Sequence, residues 1–277
     1  MELQYGIDYS YWYEVEKAKL HPDIQTKFKI HHYDKDTEEF VQDACNISYF
    51  KHVFDNTASI FLLPFVSATS RNAILNRGVM FVASSELFKE MLDGCPRRDS
   101  VLDIGAGDGN VTRRFADSFA NVYATETSPP MRNRLQARGY NVMEISNWHE
   151  RAYDAITCLN VLDRCHEPYK LLQDMYNSVK TNGGTVIIAL VLPYHGSVEG
   201  GQSWARQKEP LKIKGISYEE QLSSFILDIL EPMGFELNLA TKVPYLCTGD
   251  IQAKYYSLAD SLVSLNVKPE QASESIM

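Results

Sequence analysis

The sequence predicts an α/β fold: a doubly wound, mostly parallel, Rossmann-like sheet with a C-terminal antiparallel hairpin and an N-terminal helical extension. Three observations carry this. Between residues 100 and 190 short apolar segments alternate with amphipathic ones. The apolar segments are nearly continuous rather than alternating, as strands covered on both faces must be. The last two strand-like segments have no long helix between them, which marks a hairpin and not another crossover.

Each element has its own signal. Residues 1–80 are rich in Tyr, Phe and His, lack β alternation and include the mixed stretch FDNTASIFLLPFVSATSRNAILNRG, so helices and loops packed on the main domain are expected there. SSELFKEMLDG offers Ser84 or Ser85 as an N-cap, Leu87, Phe88, Met91 and Leu92 at helical spacing, and Gly94 as a stop. SVLDI is the first strand of the alternation, NVTRRFADSFA a helix and NVYATE the second strand. SPPMRNRLQARG reads as a helix with Ser128 at the cap, Pro129 at the first position and Gly139 past the end. NVMEI and DAITCLN are the third and fourth strands, EPYKLLQDMYNSVK the next helix, and GGTVIIALVLP a fifth, deeply apolar strand.

A polar loop, PYHGSVEGGQSWARQKEP, then leads to a helix opened by the capping box Ser217-x-x-Glu220, with Leu222, Phe225, Ile226, Ile229 and Leu230 as its buried stripe. GFELNLATKVPYLC and YYSLADSLVSLNV form the hairpin and bring the sheet to seven strands, and KPEQASESIM reads as a disordered tail. The expected division is an extension over 1–80, the main domain over 81–267 and the tail over 268–277.

Composition is that of an ordinary globular chain, 44% apolar and 23% charged, with length enough for a substantial core. The net charge of −9, without long runs of either sign, gives no support to nucleic-acid binding and suits a cationic or histidine-rich partner. MELQYGIDYSYWYEVEKAKL contains neither a basic n-region nor an apolar h-region. The longest apolar stretch, residues 60–66 with Pro64 inside it, is too short to span a bilayer. Cysteines at 45, 95, 158, 165 and 247 give an odd number without CxxC spacing, against both a disulfide framework and a zinc site, so no metal is expected. The default is a reduced, cytoplasmic monomer without a membrane span. A leader ahead of this sequence would instead place it in the endomembrane system or an organelle and give meaning to the sequon Asn46-Ile47-Ser48.

The chemically informative loop is VLDIGAGDGN, residues 101–110. The strand ends in Asp103 and runs into Gly105-Ala106-Gly107-Asp108-Gly109, where missing Cβ atoms let backbone approach a ligand. Glu126 closes the second strand, where a carboxylate can accept hydrogen bonds from both hydroxyls of a ribose. An NAD site is the alternative. The GxGxG spacing, the acid ahead of the loop and the terminal hairpin favour S-adenosylmethionine, whose amino and sulfonium groups suit a nearby carboxylate. After the third strand, Trp148 could flank an adenine with Asn147 at its edge, or Trp148 could simply anchor a loop in the core. Asn160 and Asp163, in CLNVLDRCHEP, emerge from the fourth strand on the rim of the same crevice. Asp163 could equally cap the next helix or pair with Arg164.

VLDIGAGDGNVT, YATETSPPM, CLNVLDRCHEP, VIIALVLPYH and VPYLCTGD together resemble the DREV family of methyltransferase-like proteins, protein histidine methyltransferases acting on the Nπ nitrogen. The resemblance runs from about Phe54 to Val267, and LDRC and PYLCxGD are its distinctive parts. It implies a class I methyltransferase sheet, S-adenosyl-L-methionine as donor, S-adenosyl-L-homocysteine as product, and protein or peptide substrates with alternating histidines, HxH. Carried over by motif, the cofactor residues are those of the glycine loop, Glu126 and Asn160; Asp163 would hold the substrate imidazole, and Tyr245 would line the same pocket. The residues left to the core reading are Cys158 and Cys165, and Tyr245 could also be a core aromatic. His31, His32, His52, His149 and His195 have no metal-ligand spacing, and Tyr194-His195 borders the end of the fifth strand. Methylation of a small molecule, and a non-catalytic methyltransferase-fold binding module, are the competing functions.

Overall fold

The computed structural model describes residues 8–48, 50–51, 55, 68–75, 77–179, 183–200 and 203–267. The expected disordered tail and most of the stretch from 54 to 67 lie outside the described residues. The main sheet contains β1 (Met80–Phe81), β2 (Ser100–Ile104), β3 (Asn121–Thr125), β4 (Asn141–Met143), β5 (Ala155–Leu159), β6 (Thr185–Val191), β9 (Phe235–Thr248) and β10 (Tyr255–Val267). Their order is β1-β9-β10-β6-β5-β2-β3-β4. The strands β4-β3-β2-β5-β6 are mutually parallel, and β10 lies antiparallel between β6 and β9. This is the arrangement of a class I methyltransferase sheet.

The strand count departs from seven. Met80 and Phe81 pair antiparallel with Cys247 and Leu246 and add an eighth strand at the free edge of β9. A second departure lies in the segment expected to be a polar loop, which folds into a hairpin of β7 (Ser197–Gly200) and β8 (Ser203–Arg206). The helix expected over NVTRRFADSFA is shortened to Arg113–Ala116. Its first residues are drawn into the glycine loop, because the Thr112 hydroxyl donates to Asp103 and not to its own turn.

The apolar strand pattern translates into two core layers. Leu102, Ile104, Ile156, Cys158, Val186, Ile188 and Leu190 face one side, where Leu172, Met175 and Val179 of the helix Pro168–Val179 cover them. The stripe Leu222, Phe225, Ile226, Ile229 and Leu230 joins the same layer; its capping box forms as expected, and the helix Tyr218–Ser224 continues as a π-helical segment over Phe225–Leu230. Val101, Ala155, Ile187 and Ala189 face the other side, against Leu87, Phe88, Met91 and Leu92 of the helix Ser85–Met91 and its flank. Ser84 is the cap of that helix, accepting from the Leu87 amide.

The N-terminal extension is attached at three places. Tyr9, Trp12, Tyr13, Phe40 and Val41 pack on Phe81 and Leu246 at the β1–β9 edge. Phe28 forms a bridge with Ala240 of β9. The Glu16 amide donates to Glu219, tying the extension to the helix that the capping box opens.

Phe88 is fully buried and its ring lies 5.0 Å from that of Phe115, so it joins the covering helix to the segment behind the glycine loop. Phe88→Ala is expected to lower stability by about 3–5 kcal/mol, read as a lower urea midpoint at unchanged m value.

Candidate active site

The glycine loop takes its shape from three residues with positive φ, Gly105 (69°), Gly107 (57°) and Gly109 (77°), a backbone region that L side chains rarely adopt. A Cβ at Gly105 would stand 2.7 Å from Cγ2 of Val161, so the loop also presses against the turn after β5. The Ala106 amide donates to the Thr125 carbonyl, which fastens the loop to the end of β3. Glu126 lies next to it. One of its carboxylate oxygens accepts from the Gly107 amide at 3.1 Å, the other from the Ser128 amide at 2.7 Å and from the Thr127 hydroxyl. Glu126 is therefore buried, oriented and in contact with the glycine loop, with lone pairs left for further donors. Asp108 turns along the loop, accepting from the amide and side chain of Asn110.

Asp103 is 2% exposed, and its two oxygens accept from the hydroxyls of Thr112 and Thr157 at 2.6 Å each. Burial pushes its carboxyl up to about 6, against the two hydroxyl hydrogen bonds that favour the charge. Asp103 thus ties β2 to β5 and to the loop end. Trp148 is 3% exposed within the main core layer, so its ring is an anchor of the loop after β4, while Asn147 beside it is exposed.

A second polar group forms at the end of β5. Asn160 has φ 57°, the one non-glycine residue with positive φ among the described residues, a conformation that asparagine tolerates better than most side chains. Its Nδ2 donates to Oδ2 of Asp260 on β10 at 2.7 Å. Asp163 follows one turn later, largely buried, with Oδ2 3.5 Å from Nε of Arg164. The Arg164 guanidinium lies 5.7 Å from the centre of the Tyr245 ring, and the Tyr245 hydroxyl donates to the sulfur of Met80 on β1. Burial pushes the Tyr245 phenol up to about 12, and Cys158 and Cys165 are likewise raised by burial, as packing thiols are. Asn160, Asp163 and Tyr245 are thus brought together through Arg164 and Asp260.

The unexpected hairpin supports this group from outside. The Ser197 amide donates to the Asp163 carbonyl, and Gln207, buried just beyond β8, donates from Nε2 to the carbonyls of Leu162 and Cys165 while bonding the Tyr194 hydroxyl. Among the described residues, the oxygens Asn160 Oδ1, Asp163 Oδ1 and Asp260 Oδ1 are buried without a hydrogen-bond partner. Buried acceptors in this condition are costly unless a donor arrives. The arrangement is suited to a ligand that is cationic or rich in N–H groups.

The chain matches the DREV methyltransferase family over residues 12–267. It belongs to that family. Its class of chemistry is therefore methyl transfer. Among solved structures, an S-adenosylmethionine-dependent methyltransferase from Clostridium acetobutylicum is 17% identical, with a TM-score of 0.44, covering 66% of this chain and 90% of that one. Magnesium protoporphyrin IX methyltransferase from Synechocystis, with S-adenosylhomocysteine bound, is 16% identical, with a TM-score of 0.44, covering 66% and 82%. At such identities the likeness concerns the sheet and transfers no substrate. Among the described residues no helix of this DREV protein is long and apolar enough to cross a membrane, and no group of His, Cys, Asp or Glu could hold a metal ion.

Asp260 is the site residue that motif reading passed over; Arg164, expected only as an alternative partner of Asp163, does stand beside it at 3.5 Å. A carboxylate in the middle of the apolar strand YYSLADSLVSL was the available signal, since such a residue is fully buried only with a partner or a task. Burial, together with the neighbouring charge of Asp163, pushes Asp260 up to about 7. Its folded value lies above the unfolded one, so between about pH 4 and pH 7 the folded protein binds more protons and this contribution to stability is lost as pH rises. His31, whose imidazole is lowered by burial, runs the opposite way. Asp260→Asn isolates the carboxyl: the wild type is expected to lose more stability than the variant between pH 5.5 and pH 7.5 in matched urea titrations.

Proposed function

We propose that this DREV protein transfers a methyl group from S-adenosylmethionine to the Nπ nitrogen of histidine in protein segments with alternating histidines. The observation that carries the reading is Asp163: a buried carboxylate with one unpartnered oxygen, in the same turn after β5 as Asn160 and Val161, which presses on the glycine loop. Residues 81–267 are the catalytic domain in this reading and 1–80 its extension; the acidic surface, net charge −9, suits a histidine-rich substrate.

The side chains present fit the donor. Glycines at positive φ leave room for it, Glu126 has lone pairs for ribose hydroxyls, and Asn160 Oδ1 is an acceptor awaiting an N–H donor. When bound, S-adenosylmethionine supplies an activated methyl group on a sulfonium.

The acceptor needs no strong base, because neutral imidazole, with an ordinary pKa of about 6.5, is already a nucleophile. Its two nitrogens compete, and the enzyme has to choose. A carboxylate oxygen of Asp163 accepts the Nτ–H, which fixes the tautomer, leaves the Nπ lone pair facing the methyl group and stabilises the imidazolium as charge develops. Arg164 holds the other oxygen, and the backbone bond from Ser197 fixes the turn. Burial raises the Asp163 carboxyl, Arg164 works against that rise, and an arriving imidazole N–H favours the charged form further. Tyr245 lines the same pocket, its ring positioned by Met80 and Arg164.

Asp163→Ala is expected to bind S-adenosylmethionine with near-normal affinity by calorimetry while losing about a hundredfold or more of its turnover on an HAH peptide. Wild-type turnover in the variant removes Asp163 from the mechanism. A wild-type protein that binds the donor but ignores HAH, HAA and AAH peptides overturns the histidine substrate.

A further inference from the structure

We propose that Asp260 is a positioning residue that sets the orientation of the Asn160 amide, so that Asn160 presents an oxygen, and not an NH2 group, to the methyl donor. The inference rests on the reading that Asn160 faces the donor.

An asparagine side chain is nearly symmetric in shape and opposite in polarity at its two ends, so its partners decide which end points where. On one side of Asn160 stands Asp260, fully buried on β10, at 2.7 Å from Nδ2. Oδ2 of Asp260 is the acceptor in this bond and therefore takes the NH2 end. The opposite end, Oδ1, is left buried and unpartnered among the described residues. The backbone reinforces the arrangement: the Asn160 amide donates to the Ala189 carbonyl of β6, and the residue is held at φ 57°, so the side chain has little freedom other than rotation of its amide.

The consequence is chemical. A cationic amino group brings N–H donors, which an amide oxygen accepts and an NH2 group repels. With Asp260 in place the crevice has the polarity that the donor needs. Without its charge, either amide orientation is available and half of the fit is lost. The strand pairing shows how the carboxylate reaches its place: Asp260 lies opposite Val191 at the end of β6 and opposite Val243 of β9, so β10 runs antiparallel past the C-terminal end of the parallel strands and brings a carboxylate into the crevice from a strand of opposite direction.

The test is a reciprocal exchange, with S-adenosylhomocysteine and S-adenosylmethionine as the calorimetric ligands and the full chain as the protein. Asp260→Asn is isosteric; it removes the charge and puts an NH2 donor in place of one acceptor oxygen, so that either end of the Asn160 amide can be bonded. It is expected to fold with an unchanged or higher urea midpoint and to bind the ligands about tenfold or more weakly, with the KM for the donor rising more than kcat falls. The double variant Asn160→Asp with Asp260→Asn reverses the hydrogen bond while still leaving an oxygen toward the crevice, and it is expected to recover most of the lost affinity. Aspartate, like asparagine, tolerates the positive φ at 160. Donor affinity in Asp260→Asn within twofold of wild type overturns the proposal, and so does a double variant no better than the single one, which would make Asp260 a packing residue. Asn160→Ala separates the two levels: weakened binding there, together with an unaffected Asp260→Asn, defeats the proposal alone, whereas unchanged binding in Asn160→Ala defeats the reading of Asn160 on which it rests.

Discussion

The constraint on which the site depends is the left-handed turn at Asn160, where β5 leaves the sheet. A strand buried on both faces has to stop without exposing its last backbone groups, and the Asn160 amide does so by bonding to Ala189 of β6. The positive φ then reverses the chain sharply enough for Asp163 to stand on the same rim three residues later. Val161, inside that turn, approaches so close to Gly105 that only a glycine fits there. The glycine loop and the turn after β5 are thus parts of one packed unit, and neither shape is free to change alone.

Around that unit the carboxylates divide by environment. Asp103 is enclosed by two threonine hydroxyls and keeps β2, β5 and the loop in register. Glu126 is bound by the backbone amides of Gly107 and Ser128, one on each oxygen. Asp163 and Asp260 are buried with an unpartnered oxygen each. In an otherwise apolar sheet end this is an unfavourable state for the protein by itself, and binding of positively polarised groups relieves it. Stability given up at such a place is commonly the counterpart of affinity gained there.

Most of the architecture was legible in the sequence because it depends on local signals: continuous apolar strands, the Ser84 cap, Pro129 and Gly139 bracketing a helix, and the Ser217–Glu220 box. The placement of the glycine loop, Glu126, Asn160 and Asp163 just after strand ends was legible because polarity changes abruptly there. What stayed hidden depends on contacts between distant segments. The two-residue strand Met80–Phe81 exists only because the edge of β9 is there to pair with it. The hairpin Ser197–Arg206 reads as a polar loop because its strands are short, and it is anchored through Gln207 to carbonyls some forty residues earlier. The two threonines that bond Asp103 are not legible as its partners because Thr157 is 54 residues away in sequence. Asp260 lay unread because its partner, Asn160, is 100 residues away.

In the proposed mechanism, buried oxygens at the end of β5 choose the tautomer of a substrate imidazole, with Asp163 taking the Nτ–H. The most direct measurement is the position of the methyl group on an HAH peptide treated with labelled S-adenosylmethionine, located by NMR after isolation of the product. Methylation at Nπ alone is the predicted result. A methyl group at Nτ, or a mixture of the two, would contradict the orientation assigned to Asp163.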